Sequence, residues 1–390
     1  MKNLIRNGCG FLILIFCFAA SAQTWTQTSA PSNQWYSIAS SADGSKLVAV
    51  DFSGDGIYTS TNSGTTWTKT SAPSSEEWLS VASSADGSKL AAVDVNNGGR
   101  IYTSTNSGTS WIQQTGAPVF GSAVASSADG NKLVTSIYQR NIYTSTDSGT
   151  TWTSNSVPSA QSFWFVASSA DGNKLVAAAN GGGIFTSTNS GAIWTQTSAP
   201  TNFWSSVASS SDGTKLVVVG STNGIFYDGI SQVIYTSSNS GNTWAQFQAT
   251  TNMGNYVASS ADGNKLVVVG NGIWTSTNSG FAWMQTSASN NLWQCVASSA
   301  DGNKLVAGIN GGGIFTSQTM PSPQLNLTPT NGSFKLSWLI PSTNFVIQQS
   351  SDLQNWTNTT ITPTLNLTNL QEQVILPQTN GSGFYRLKTP

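Results

Sequence analysis

Between residues 36 and 317 the chain repeats one order of apolar and polar positions. In the first copy, Tyr36 to Ser40, Lys46 to Val50, Gly56 to Thr61 and Trp67 to Ser71 each carry the β-branched, aromatic or alternating residues that predict a short strand. No segment has a helical period. Between the first two strands lies Ala42-Asp43-Gly44-Ser45, where the Asp side chain can accept from backbone N–H groups ahead of it and Gly tolerates positive φ.

The phrase Ser-Ala-Asp-Gly-x-Lys-Leu, or a near copy, returns with its aspartate at Asp43, Asp86, Asp129, Asp171, Asp212, Asp262 and Asp301, at spacings of 39 to 50 residues. Four strands in a period near 40 describe a propeller blade. Three strands follow in all seven copies, but the last copy runs from Phe315-Thr316-Ser317 into Gln318 and Pro321 without a fourth. At the other end, Thr24 to Ser29 has the sequence of a fourth strand with no copy before it. The fold class expected is therefore all-β: a seven-bladed β-propeller over 23–318, closed by its N-terminal strand, which also covers an open strand edge.

Composition changes the picture at the surface. Only 8% of residues are charged, against an average near 25%, and Ser, Thr, Asn and Gly take those positions. Residues 1–22 read as a secretory signal: Lys2 and Arg6, the apolar run Phe11 to Ala20, then Ala20-Ser21-Ala22. The run is shorter than the roughly 20 residues of a spanning helix, so the mature chain is expected to be secreted or at the cell surface with no membrane span. Cleavage removes Cys9 and Cys17 and leaves Cys295 without a disulfide partner. It also removes two of the 15 basic residues, against 16 acidic ones, a balance that argues against nucleic acid as a partner. The chain has no histidine, which excludes histidine general bases and most zinc sites.

Six segments beginning at Ser60, Ser104, Ser145, Ser187, Ser237 and Ser276 read Ser-x-Asn/Asp-x-Gly-x-x-Trp. They resemble the Asp-box, Ser-x-Asp-x-Gly-x-Thr-Trp, of BNR-like propellers. Asp147 alone keeps the aspartate; Asn62, Asn106, Asn189, Asn239 and Asn278 replace it and retain the side-chain acceptor. The resemblance implies a hairpin between the third and fourth strands, with Trp67, Trp111, Trp152, Trp194, Trp244 and Trp283 tucked beneath as fasteners. Magnitudes agree, since burying an indole offers roughly 4 to 6 kcal/mol before entropy and one turn hydrogen bond nets about 1. Sialidases share the motif but hold their substrate with an arginine triad, and only Arg100 and Arg140 stand in the propeller region. The Ycf48-type, xyloglucanase-like and sortilin-like propellers resemble this chain in fold and bring no activity with them.

With both kinds of repeated turn on one face, the variable loops open on the other. Trp35, Trp78, Phe163, Trp204 and Trp293 stand eight positions before a repeat aspartate, at the entry of the innermost strand. They either ring the mouth of the central funnel as a ligand platform or pack between blades. Asp51, Asp55, Glu76, Glu77 and Asp94 form an acidic patch in blades one and two, able to take calcium or to supply a pair for glycoside hydrolysis.

Residues 319–323 read as a linker, and 324–390 as a small β-sandwich with strands at Phe334 to Trp338, Phe345 to Gln348, Gln373 to Leu376 and Phe384 to Leu387. The run from Phe345 to Trp356 resembles a fibronectin-like module of secreted bacterial proteins. The whole suggests a monomeric, non-catalytic propeller without a cofactor that binds extracellular polysaccharide or a surface protein. A glycoside hydrolase using the acidic pair is the alternative.

Overall fold

The computed structural model describes residues 3–7, 11–15, 24–119, 121–137, 141–158, 162–224, 232–248, 253–318, 326–330, 333–339, 346–352, 354–359, 364–366, 371–377 and 384–388. Its contacts divide the chain into two compact units, Gln23–Gln318 and a second made of Met1–Ala22 with Thr319–Pro390.

In the first unit each period folds into antiparallel strands paired in chain order. Asn33–Ser40 pairs with Leu47–Asp51, which pairs with Ile57–Ser60, which pairs with the two-residue strand Thr68–Lys69. The same order recurs from Trp78–Ser83 to Ile112–Gln113 and in the later periods. The last period, Trp293–Ser298, Lys304–Gly312 and Ile314–Gln318, meets the other end of the chain: Trp25, Thr26 and Gln27 pair with Ser317, Thr316 and Phe315. The architecture is a β-propeller.

The apolar clusters of this unit lie between consecutive sheets. One joins Val48, Val50 and Ile57 to Trp78, Val81 and Tyr102 of the next period, and another joins Val306 and Ile314 to Leu47 and Ala49. This is why the second strand of a period, such as Leu47–Asp51, is buried along its whole length: it has an apolar neighbour on both faces.

The turn between the first two strands also links sheets. The Ala42 N–H donates to the Ala85 carbonyl at 2.7 Å, and bonds of the same length run from Ala85 to Ala128, Ala128 to Ala170, Ala170 to Ser211, Ser211 to Ala261 and Ala261 to Ala300, whose N–H donates to the Ala42 carbonyl at 2.7 Å. The series returns to its start. The recurring lysine has a place in the same contact. A β-carbon on Gly87 would lie 2.8 Å from Lys46, and one on Gly44 would lie 2.8 Å from Lys304, so the lysine stem occupies the space that glycine leaves on the adjacent sheet. Gly44 and Gly87 also need their freedom at φ 69° and 66°.

In the second unit, Ser333–Leu339 pairs with Asn326–Thr330 and Gln371–Pro377, and Thr364–Asn366 extends that sheet. A second sheet contains Val346–Ser350, Thr357–Asn358 and Phe384–Lys388, joined at Ile15 by the hairpin Asn3–Asn7 and Phe11–Ile15. Leu336, Val374 and Leu376 of one sheet pack against Ile347 of the other. Among the described residues no helix is long and apolar enough to cross a membrane.

Candidate functional site

The six tryptophan-bearing turns share one set of bonds. In the first, the Ser60 hydroxyl accepts from the Gly64 N–H at 2.9 Å and Asn62 Oδ1 accepts from the Thr66 N–H at 2.9 Å. Asn106, Asn189, Asn239 and Asn278 accept at the same distance from Ser110, Ile193, Thr243 and Ala282. Asp147 receives the Thr151 N–H at 2.8 Å and, in addition, the Thr151 hydroxyl at 2.6 Å. The Ser63 N–H donates to the Ser45 carbonyl at 2.8 Å, which ties this turn to the Asp-Gly turn and puts both at one end of the propeller. Trp67, Trp111, Trp152, Trp244 and Trp283 pack, partly buried, against clusters between sheets, and Trp194 lies inside one.

The opposite end holds a cavity of about 510 Å³ around the innermost strands, lined by Tyr36, Phe52, Trp164, Phe165 and Tyr256 among others. Of the two placements the sequence left open for the repeated aromatic residues, the mouth or the packing between blades, they take the second. Trp35, Trp78, Phe163 and Trp204 are 0% exposed and Trp293 is 2% exposed, so none presents a face to a ligand. Each meets an aromatic ring of the third strand edge-on: Trp35 with Tyr58, Trp78 with Tyr102, Phe163 with Phe185, Trp204 with Tyr235 and Trp293 with Phe315, at centroid distances of 5.2 to 5.7 Å.

A β-bulge explains the displacement. Pairing skips one residue between Trp35 and Ser37, and does so again between Trp78 and Ser80, Phe163 and Phe165, Trp204 and Ser206, and Trp293 and Cys295. A bulge adds a residue to one strand and re-aims its side chain. The added residues Tyr36, Leu79 and Trp164 line the cavity, while the aromatic residue before each turns inward. Tyr36 stacks on Phe52 with centroids 5.2 Å apart and planes at 28°. Gln294 donates from Nε2 to the Tyr256 hydroxyl. Cys295 also lines the cavity but is buried, and burial pushes its thiol up to about 12.

The five acidic residues do not assemble into one patch. Asp51 is fully buried, and its Oδ2 accepts from the Ser53 hydroxyl at 2.7 Å and the Asp55 N–H at 2.8 Å. Asp55 is pulled down to about 2, first by its bond from Lys69 at 2.7 Å and then by Tyr58 and Asn33. Glu76 is buried 3.8 Å from the Arg100 guanidinium. Asp94 is fully buried; that burial raises it to about 6, against the pull of the Arg100 N–H at 3.1 Å. Four of the five thus brace loops, and Glu77 alone lines the cavity. Among the described residues no three His, Cys, Asp or Glu side chains are grouped to hold a metal ion.

Comparison with known proteins agrees with the fold. The family model described as Sortilin, neurotensin receptor 3 (Sortilin-Vps10) matches residues 140–271. No curated protein matches. The chain is similar in structure to YCF48 bound to a D1 peptide, with a TM-score of 0.57 and 14% identity over 78% of this chain and 99% of that one. YCF48 from Cyanidioschyzon merolae gives 0.57 and 14% over 75% and 98%. Hydrazine synthase of Kuenenia stuttgartiensis gives 0.59 and 16% over 76% and 98%. At these identities the likeness is one of fold: a β-propeller of the kind seen in sortilin and YCF48.

Proposed function

We propose that the chain is a secreted, non-catalytic propeller that binds an extracellular polysaccharide at the mouth of its central channel. Seven Asp-box blades form the ring, the strand Trp25–Gln27 closes it, and a fibronectin-like β-sandwich follows. The return of the turn hydrogen bonds to Ala42 and the pairing of Trp25 with Ser317 support that closure. The leader pattern of residues 1–22 supports secretion.

One observation carries the binding role: five aromatic residues together with Ser37, Ser80, Ser122 and Ser206 line a single cavity of about 510 Å³. That volume suits a ligand of a few rings. Flat apolar faces match the C–H faces of a sugar, and hydroxyl groups match its rim. A peptide occupies a YCF48 structure of similar fold; here the aromatic and serine residues of the lining favour a sugar framework over a peptide. Four of the five acids of blades one and two are committed to loop contacts, which counts against a carboxylate pair for glycoside hydrolysis.

The test is a panel of plant, algal and bacterial polysaccharides against the purified protein, repeated with Tyr36→Ala and Trp164→Ala. Selective binding that both variants weaken while the melt is kept supports the reading. Binding that both variants leave unchanged, or no binding to any polysaccharide, overturns it.

A further inference from the structure

We propose that the glycan bound at this mouth carries a free amine, as a glucosamine polymer does, and that Glu77 is its counter-ion. This rests on the polysaccharide reading above and adds the chemistry of the sugar. Among the described residues that line the cavity Glu77 is the one charged side chain, and no described lysine or arginine stands with it. Of the described basic residues near that end, Lys69 pairs with Asp55 at 2.7 Å and Arg100 faces Glu76 at 3.8 Å. No hydrogen bond or ion pair of the Glu77 carboxylate occurs among the described residues.

Surroundings of this kind favour a cation. An unmatched carboxylate beside apolar walls interacts more strongly with an opposite charge than it would in open water. The stacked rings of Tyr36 and Phe52 line the same cavity, and their π faces attract an ammonium group in the same sense. A glycan bearing carboxylate or sulfate meets repulsion from Glu77 and, among the described lining residues, no basic side chain to offset it. An N-acetylated or plain hexose polymer keeps the stacking contacts but loses the charge.

The experiment titrates the protein calorimetrically with oligomers of glucosamine, N-acetylglucosamine and glucose, at a pH where the amine is protonated. The expected preference for the glucosamine oligomer is about tenfold, the size of one partly desolvated charge contact. Glu77→Gln should abolish that preference. Asp147→Asn, which removes a carboxylate where the other copies carry Asn, should keep it. Equal affinity for the three oligomers, or a preference that survives in Glu77→Gln, overturns this inference while leaving the polysaccharide reading intact. Failure of all three oligomers, together with failure across the wider panel, overturns both.

Discussion

Lys304 Nζ stands 3.4 Å from Ser63 Oγ, a contact spanning 241 residues of chain. The same lysine stem fills the space over Gly44. Lys46 reaches Ser107 Oγ at 3.3 Å and fills the space over Gly87 in the same way. The contact between the first and last periods is therefore of one kind with the contact between the first and second. An open solenoid would leave one lysine and one glycine without these neighbours.

That equivalence predicts a large effect from the N-terminal strand. Deleting residues 24–30 removes the pairing of Trp25, Thr26 and Gln27 with the last sheet, the bond from the Thr28 N–H to the Ile314 carbonyl at 2.9 Å, and the contact of Trp25 with Trp293 at 6.0 Å. The melting temperature should fall by about 5 °C or more, the consequence of a few kcal/mol in a unit of this size. Differential scanning calorimetry of the deletion variant measures it, and an unchanged melt would remove the case for closure by this strand.

Adjacent aromatic residues should behave as opposites. Trp35→Ala empties a fully buried site between sheets and is expected to cost about 3 to 5 kcal/mol. Tyr36→Ala removes a half-buried ring stacked on Phe52, with a cost near 1 kcal/mol. Urea denaturation of the two variants separates them, and glycan titration should show the reverse ranking among folded protein. Equal destabilisation would mean that the bulge does not divide the two roles.

Much of the fold was legible because its signals are local. Asp43-Gly44 and its copies mark the turns, and the four strand patterns recur at one period, so the order of elements could be read directly. At the mouth, the choice between a ligand platform and packing turned on a single residue. Alternation along a strand assumes an unbroken pleat, and the skipped pairing between Trp35 and Ser37 breaks it where the cavity begins. The repeated aromatic position was the more visible signal, whereas the residue after it, which lines the cavity, varies in identity and gave no repeated signal: Tyr36, Leu79, Ser122 and Trp164. The acids were misplaced for a different reason. Sequence proximity could not show that Asp51 and Asp94 end buried strands and cap the loops that follow.

Cys295 provides an internal reporter of opening. It is buried, and its thiol is pushed up to about 12 by that burial despite the Gly308 N–H that favours the thiolate. Thiolate is the reactive form, so iodoacetamide should leave Cys295 of the native protein unlabelled at neutral pH and modify it once denaturant opens the sheets. Mass spectrometry after timed labelling reads the result. Fast labelling of native protein would show that the channel wall around Cys295 opens readily.

Stability should peak near pH 4, because two groups of aspartates titrate in opposite directions. Burial raises Asp94 from the ordinary 3.8 to about 6, and the charge of Glu76 adds to the effect. The folded chain then holds that proton more tightly than the unfolded chain does. Its contribution is full below 3.8 and is lost as pH rises through 6, a change on the order of 2 kcal/mol. Asp86 and Asp212 run the other way. The Ser84 and Ser210 hydroxyls, followed by the N–H groups of Ser88 and Thr214, hold these carboxyls near 2. Their contribution is present above 3.8 and is lost as pH falls toward 2. Asp94→Asn keeps an acceptor for the Arg100 N–H and cannot ionise, so the decline between pH 4 and 6 should flatten while the acid limb remains. Melting temperatures from pH 2 to 8 for both proteins decide the point, and a decline that persists unchanged in the variant would assign it to another group.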